Sequence, residues 1–312
     1  MNIFIAGGSG AIGRYLVPML VGEGHRVVAM TRSIDRSQQL KEMRAESVVG
    51  DVFDREQLTR LVIQAKPEIV IHQLTAFGAT DADPLAETIR IRIEGTRNLV
   101  DAALAANARR FITQSISFIC TPQGNGLTDE NTPLYLDAPP AIRLLAHAVS
   151  ELERQTLEAF GNEGVVLRYG WFYGPGTNYD PNGSIPNAIR KNRMAMVGEG
   201  QGTYSFIGLR DAAVATMKAL SKGSGIYNIV DDHPAKLSEW LPIAATLLNA
   251  PAPTHLDEAT ARAKLGDMFV YTMNEQRGAS NFKAKKELDW RPLVSSWQDG
   301  FGELYGSSPL GR

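Results

Sequence analysis

The sequence is poor in the residues that build disulfides and metal centres. It has one cysteine, Cys120, in 312 residues. No intramolecular disulfide can form, the chain suits a reducing compartment, and the expected location is cytoplasmic. Cys120 reads as a small buried apolar residue rather than a reactive thiol. Five histidines, His25, His72, His147, His233 and His255, are scattered without ligand spacing, so no metal is expected. Asp231-Asp232-His233 runs into Pro234 and reads as a turn. No apolar run approaches the roughly 18 residues that suggest a membrane span. The chain opens directly on a strand with no basic region ahead of it, so neither a signal peptide nor a membrane partner is expected. Excess charge is missing too: 32 Lys and Arg stand against 34 Asp and Glu. That balance gives no electrostatic case for nucleic acid. There is no repeat, no low-complexity tract and no G-x-S-x-G elbow. What remains is an ordinary globular composition, 44% hydrophobic and 21% charged, at a length that allows one large domain or two.

The informative stretch is the first 33 residues. Asn2 to Ala6 is a short apolar strand, Gly7-Gly-Ser-Gly-Ala-Ile-Gly13 follows at once, and an apolar-periodic helix runs from Arg14 to Val21. Gly24-His25 closes the helix, and Arg26 to Met30 is a second strand. In this strand–turn–helix–strand unit Gly7 permits a tight turn, Gly10 lets backbone approach a pyrophosphate, and Gly13 allows close helix packing. The backbone around Ser9, Ala11 and Ile12 then presents N–H groups to the anion at the helix start. After the second strand, where an NAD site usually places an acid, the chain has Thr31-Arg32-Ser33 with Arg36 behind. A guanidinium and hydroxyls suit a ribose 2′-phosphate, so NADP(H) is the expected cofactor and NAD(H) the alternative.

Strands and helices alternate onward through Glu46–Val52, Pro67–His72, Arg109–Ser115 and Gly164–Arg168. The alternation predicts an α/β fold: a Rossmann-like, doubly wound parallel sheet with a smaller C-terminal α/β substrate lobe. The expected organisation is an NADP(H)-binding domain over 1–168, with 206–222 returning to it. The substrate lobe then comprises 169–205 and 223–312. Ligands in such sheets sit beyond the carboxyl ends of the strands, which gathers the glycine turn, Arg32, Asp51, Gln73 to Phe77 and Ser115 to Phe118 around one crevice.

These residues resemble the extended short-chain dehydrogenase/reductase group, the NAD(P)-dependent epimerase/dehydratase family, over nearly the whole chain. Gly7 to Gly13 looks like its nucleotide fingerprint and Gly50-Asp51-Val52 like its adenine-contacting segment. His72 to Ala76 is similar to the stretch passing under the cofactor, and Tyr173-Gly-Pro-Gly176 to its Y-G-P-G turn. Lys285 to Pro292 resembles its C-terminal K-x-E-L-G-W-x-P signature. The resemblance extends the cofactor set to Asp51, Val52, Leu74, Thr75, Ala76 and Gln114. It also implies a homodimer through the helices near Thr88–Ala106 and Ile142–Phe160.

The family's chemistry uses a Ser or Thr after strand five and a Tyr-x-x-x-Lys pair on the next helix, in which the lysine lowers the tyrosine pKa. None of the nine tyrosines here has a lysine four residues later. Ser115 is the expected strand-five hydroxyl and Ser117 the second candidate, though strict alignment from Phe111 puts the position on Ile116. On the helix one placement sets Arg143 and His147 at the Tyr and Lys positions, and another sets Leu145 and Val149 there. The expected proton donors are therefore His147, Tyr135 from the preceding loop, or water. The family's R-D-F segment is Tyr204-Ser205-Phe206 here, which argues against a nucleotide sugar. Phe77, Trp171, Phe172 and Tyr204 are expected to line an aromatic substrate pocket, with Ser117 and Arg143 beside it. The implied activity is hydride transfer with NADP(H) on a small carbonyl or hydroxyl substrate. The alternatives are a redox-silent dinucleotide sensor and a redox-neutral epimerase, dehydratase or isomerase.

Overall fold

The computed structural model describes residues 1–76, 83–124 and 126–306. Seven parallel strands form the main sheet: β1 Asn2–Ala6, β2 Arg26–Thr31, β3 Glu46–Val49, β4 Ile69–His72, β5 Arg110–Ile116, β6 Gly164–Tyr169 and β7 Gly225–Ile229. Their order is β7-β6-β5-β4-β1-β2-β3. Strand order reverses between β1 and β4, which pair in register from Ile3–Ile69 to Ala6–His72. A crevice opens at such a reversal, beyond the strands' carboxyl ends.

Period-two alternation assigns the two faces. Ile3, Ile5, Val27, Ala29, Ile69 and Ile71 pack against Leu16, Val17 and Leu20 of α1 (Gly13–Gly22) and Leu40 of α2 (Ile34–Glu42). Phe4, Val28, Val70 and Phe111 pack the other way, onto Leu58 and Val62 of α3 (Arg55–Ala65). Both faces are covered, as a parallel sheet requires. Local chemistry sets the helix starts: Ser33 accepts the Arg36 N–H, Asp54 the Gln57 N–H and Asp83 the Leu85 N–H. The long helix expected after β4 is broken into α4 (Pro84–Arg90), a π turn (Ile91–Gly95) and α5 (Thr96–Ala105). Helix α6 (Pro140–Phe160) starts with Pro at its first position and covers β5 and β6.

The segment after β6 departs into a second core built on Tyr179, Tyr204, Phe206, Trp240, Trp297 and Phe301. Helix α7 (Leu209–Lys218) returns to pack with α1 in the first core. One boundary differs from the sequence expectation: Gly225–Ile229, assigned to the lobe, is the edge strand of the main sheet. Its five residues include Asn228, so the apolar signal is carried by Tyr227 and Ile229 on one face only. Among the described residues no helix is long and apolar enough to cross a membrane.

Candidate active site

Each glycine after β1 serves a different need. Gly7 has φ +91°, and a Cβ there would lie 2.6 Å from the Gln73 carbonyl oxygen, so only glycine fits. Gly13 opens α1, where a Cβ would lie 2.0 Å from the Gly8 carbonyl oxygen. Around Gly10 a Cβ would meet only the Gly7 carbonyl oxygen, at 3.2 Å; its other side is open. Gly10 N–H donates to Gly7 O at 3.0 Å and Arg14 N–H to Gly10 O at 3.1 Å. Among the described residues the intervening N–H groups of Ala11, Ile12 and Gly13 take no part in the turn's bonding, and Ile12 supplies no side-chain cap. Unused N–H groups at a helix start favour an anion. The turn therefore fits a pyrophosphate, in a cradle that a side chain at Gly10 would fill.

The far end of the crevice carries the charged groups. Thr31 Oγ1 accepts from Ser9 Oγ at 3.2 Å and from Ser33 N–H at 3.3 Å, and the Ser33 hydroxyl caps α2. Arg36 is exposed. Arg32 is half exposed, and its Nη1 lies 3.4 Å from Glu87 Oε1 on α4. Asp51 Oδ1 accepts the Phe53 N–H at 3.0 Å, and the Val52 carbonyl accepts from Asn98 Nδ2 at 2.9 Å. The Arg90 guanidinium stands 3.7 Å above the Phe53 ring.

Between these ends the chain leaving β4 is held from below. His72 is fully buried; its Nδ1 accepts the Leu74 N–H at 3.2 Å and its Nε2 pairs with Thr96 Oγ1 at 3.1 Å. Burial, and secondarily the charge of Arg92, pushes its pKa down to about 3, so the ring is neutral and structural. Gln114 Nε2 donates to the Leu74 carbonyl at 2.8 Å, and Ala76 N–H donates to Thr88 Oγ1 at 3.3 Å. Thr75 is exposed beside them.

The positions expected to carry chemistry are arranged differently. Ser115 is buried, and its hydroxyl donates to Glu153 Oε1 of α6 at 2.8 Å. Glu153 also receives Nε and Nη2 of Arg168, each at 2.7 Å. Strand alternation thus turns Ser115 under α6 rather than into the crevice. Arg143 and His147 lie on the exposed side of α6. Leu145 and Val149 lie on its buried side and share one apolar cluster with Ile116, Ile119, Ile142 and Tyr271. Of the two placements of the Tyr-x-x-x-Lys positions, the one on Leu145 and Val149 is the one brought next to the end of β5. Each buried aliphatic side chain there contributes about 1.5–3 kcal/mol, and none can move a proton. Tyr135 is half-buried at the edge of this cluster, 5.8 Å from the Tyr271 ring. The Tyr271 hydroxyl is spent on the Phe118 and Cys120 carbonyls, at 3.2 and 2.7 Å. Ser117 is buried and its hydroxyl has no partner among the described residues.

The expected aromatic pocket is only partly assembled. Phe77 lies outside the described residues. Trp171 stacks on Phe118 with centroids 4.0 Å apart, and its indole N–H is buried with no partner among the described residues. Phe172 turns the other way, 5.2 Å from Tyr169, and Tyr204 is buried with its ring 5.5 Å from Trp171 and 5.1 Å from Trp240 of the lobe core. Trp171 therefore joins Phe118 on one side to Tyr204 on the other. Sequence reasoning missed Glu153, Arg168, Glu87 and Arg92. Glu153 had a signal: it falls on the buried stripe Ile142, Leu145, Val149, Leu152, where an acid needs a cationic partner.

The model of the NAD dependent epimerase/dehydratase family matches residues 3–230. The 3-diazoavenalumate denitrifying reductase of a Streptomyces species is 40% identical over 307 residues, covering 97% of this chain and 99% of the relative. A 4-hydroxy-2-methyl-3-oxo-4-farnesyl-3,4-dihydroquinoline-1-oxide ketoreductase of Stigmatella aurantiaca is 28% identical, covering 100% and 98%. Among solved structures, the UDP-glucose 4-epimerase of Thermotoga maritima superimposes with a TM-score of 0.76 at 21% identity, covering 98% of both chains.

Proposed function

The chain belongs to the NAD dependent epimerase/dehydratase family, and on that premise we propose that it is an NADP(H)-dependent reductase of a diazo or diazonium compound. One observation supports this reading: Ile116, Leu145 and Val149 share one apolar cluster at the end of β5, and on the strict alignment from Phe111 and the second helix placement these are the positions at which the resemblance expects a hydroxyl, a tyrosine and a lysine. Reducing a carbonyl needs a proton for the developing alkoxide, and general acid help is worth about 10² to 10⁴ in rate. A carbon bearing a diazonium group makes no such demand. It accepts the hydride, its C–N bond breaks, and the bonding pair leaves with dinitrogen. A neutral diazo compound first takes one proton from water. The 40% identity with a denitrifying reductase supports this substrate class.

When bound, the dinucleotide supplies the hydride. Gly7 to Gly13 hold its pyrophosphate, and Arg32 with Thr31 and Arg36 faces the 2′-phosphate. The Asp51 to Phe53 turn borders the adenine, and Leu74 to Ala76 with Gln114 support the middle of the molecule. The apolar cluster keeps water from the reacting carbon, and Phe118 with Trp171 offers a flat face to an aromatic substrate.

A second reading, carbonyl reduction with Tyr135 as the acid, is favoured by that half-buried phenol at the cluster's edge and by the ketoreductase relative. The test compares 4-diazobenzoate with 4-acetylbenzoate, following coenzyme oxidation and product above the uncatalysed background. We expect stoichiometric benzoate from the first and no turnover of the second. Tyr135→Phe should leave the diazonium reaction within about threefold. Arg32→Ala should weaken NADP(H) binding and spare NAD(H). Robust ketone reduction, lost by about 10²-fold or more in Tyr135→Phe, would install the second reading.

A further inference from the structure

Among the described residues, Arg92 is a buried cation of this region to which the proposed coenzyme contacts assign no role. It lies in the π turn Ile91–Gly95, an irregularity frequent at functional sites. The turn is pinned on both flanks: Gln155 Nε2 donates to the Ile93 carbonyl at 3.2 Å and Thr96 Oγ1 to the Ile91 carbonyl at 3.4 Å. Only 7% of Arg92 is exposed, and its Nη1 is buried with no hydrogen-bond partner among the described residues. On one side it feels Glu153, whose carboxylate is already taken by Ser115 and both arms of Arg168. On the other it faces His72, a neutral ring that cannot neutralise it. Its two charged or polar neighbours therefore belong to the carboxyl ends of the strands, His72 closing β4 and Glu153 joined to Ser115 of β5, the end at which an open α/β sheet binds its ligand. A buried guanidinium nitrogen without a partner is unfavourable. Such a group persists where an incoming anion completes it.

We propose that Arg92 is the anion receptor of the substrate pocket and pairs with a carboxylate of an aromatic substrate. The proposal rests on reading the crevice as the reductase site, and it names the substrate class further. The guanidinium fork suits a planar carboxylate through two parallel hydrogen bonds. The apolar cluster of Ile116, Leu145 and Val149 and the Phe118–Trp171 pair would receive the carbon skeleton.

The experiment uses the full chain and the probes cinnamate and methyl cinnamate, titrated against wild type, Arg92→Met and Arg92→Lys. Unfolding midpoints and coenzyme affinity are measured on the same samples. Wild type should bind cinnamate at least about tenfold more tightly than its ester. Arg92→Met should erase that ratio while its unfolding midpoint stays level or rises, because a buried guanidinium nitrogen without a partner has been removed. Arg92→Lys should restore part of the ratio. Coenzyme affinity should be unchanged in all three. A destabilised Arg92→Met with the ratio intact would make Arg92 structural and overturn the proposal, as would a wild type that does not distinguish acid from ester. Failure of the wild type to take up either coenzyme would instead sink the reductase reading, whatever the probe titration gives.

Discussion

The Ser115 hydroxyl donates to Glu153 Oε1 at 2.8 Å, and that carboxylate is simultaneously clasped by Arg168 through two bonds of 2.7 Å. A hydroxyl in this position holds an ion pair together and is not available to orient a substrate carbonyl. Arg168 pairs with Ser115 in strand register, so the network ties β5, β6 and α6 at the crevice end of the sheet.

Stability and catalysis should therefore separate at this network. Ser115→Ala removes one hydrogen bond to a charged acceptor and should lower stability by about 1.5–3 kcal/mol. Turnover should stay within about threefold. Glu153→Gln leaves Arg168 without its counter-charge and should lower stability by about 3–5 kcal/mol. Urea unfolding of both variants beside single-substrate kinetics makes the comparison. A Ser115→Ala protein of native stability with turnover down a hundredfold would return Ser115 to the chemistry.

The glycine turn was legible because everything it needs is local: a strand, a left-handed residue, and a helix packed against its own entry. Ser115 and Ile116 were harder. Adjacent residues on a strand face opposite sides, so a one-residue uncertainty exchanges a crevice side chain for one under a helix. The helix offered a clue that outweighs motif matching. Ile142, Leu145, Ala146, Val149 and Leu152 form a three- and four-residue stripe, which excludes His147 from the buried face and selects Leu145 and Val149. Glu87 and Arg92 were out of reach of sequence reasoning. Glu87 acquires meaning only through Arg32, 55 residues away, and Arg92 only through a helix irregularity that no composition announces. Tyr204 shows a different limit: it meets Trp171, as the expected aromatic group requires, but it also packs on Phe206 and Trp240 of the lobe core, and a sequence does not say which of those contacts dominates.

The second and third functions of glycine in the opening turn can be pulled apart. At Gly13 an added methyl meets the Gly8 carbonyl at 2.0 Å, and backbone cannot yield by the amount required. Gly13→Ala should unfold the first core, with loss of the cooperative transition. At Gly10 the only near atom is the Gly7 carbonyl oxygen at 3.2 Å, so Gly10→Ala should fold with a stability loss within about 1 kcal/mol. It should nevertheless bind coenzyme at least about tenfold more weakly, since the methyl occupies the space of the pyrophosphate. Circular dichroism melting and a coenzyme titration read the two effects separately. A Gly10→Ala protein with native coenzyme affinity would move the pyrophosphate elsewhere.

The last prediction concerns pH and a carboxyl remote from the glycine turn. Asp231 follows β7, is 1% exposed, and has one carboxyl oxygen with no partner among the described residues. Burial pushes its pKa up to about 8; the His233 N–H opposes this, and Asp232 and Asp211 add to it. Neighbouring Asp232 has the opposite environment, held by Lys285 and Asn281, and is shifted down. A carboxyl raised in the fold above its unfolded value of about 3.9 binds its proton more tightly when folded. Its contribution to stability is therefore complete below the unfolded pKa and is lost as pH rises toward about 8. The decline is at most about 1.4 kcal/mol per pH unit for one proton. Asp231→Asn keeps the shape and the acceptor for His233 and has no proton to lose. Its urea midpoint should fall less than that of wild type between pH 5 and pH 8, and it should be the more stable protein at the upper end. Parallel pH profiles for the two proteins would mean that Asp231 is already ionised in the fold.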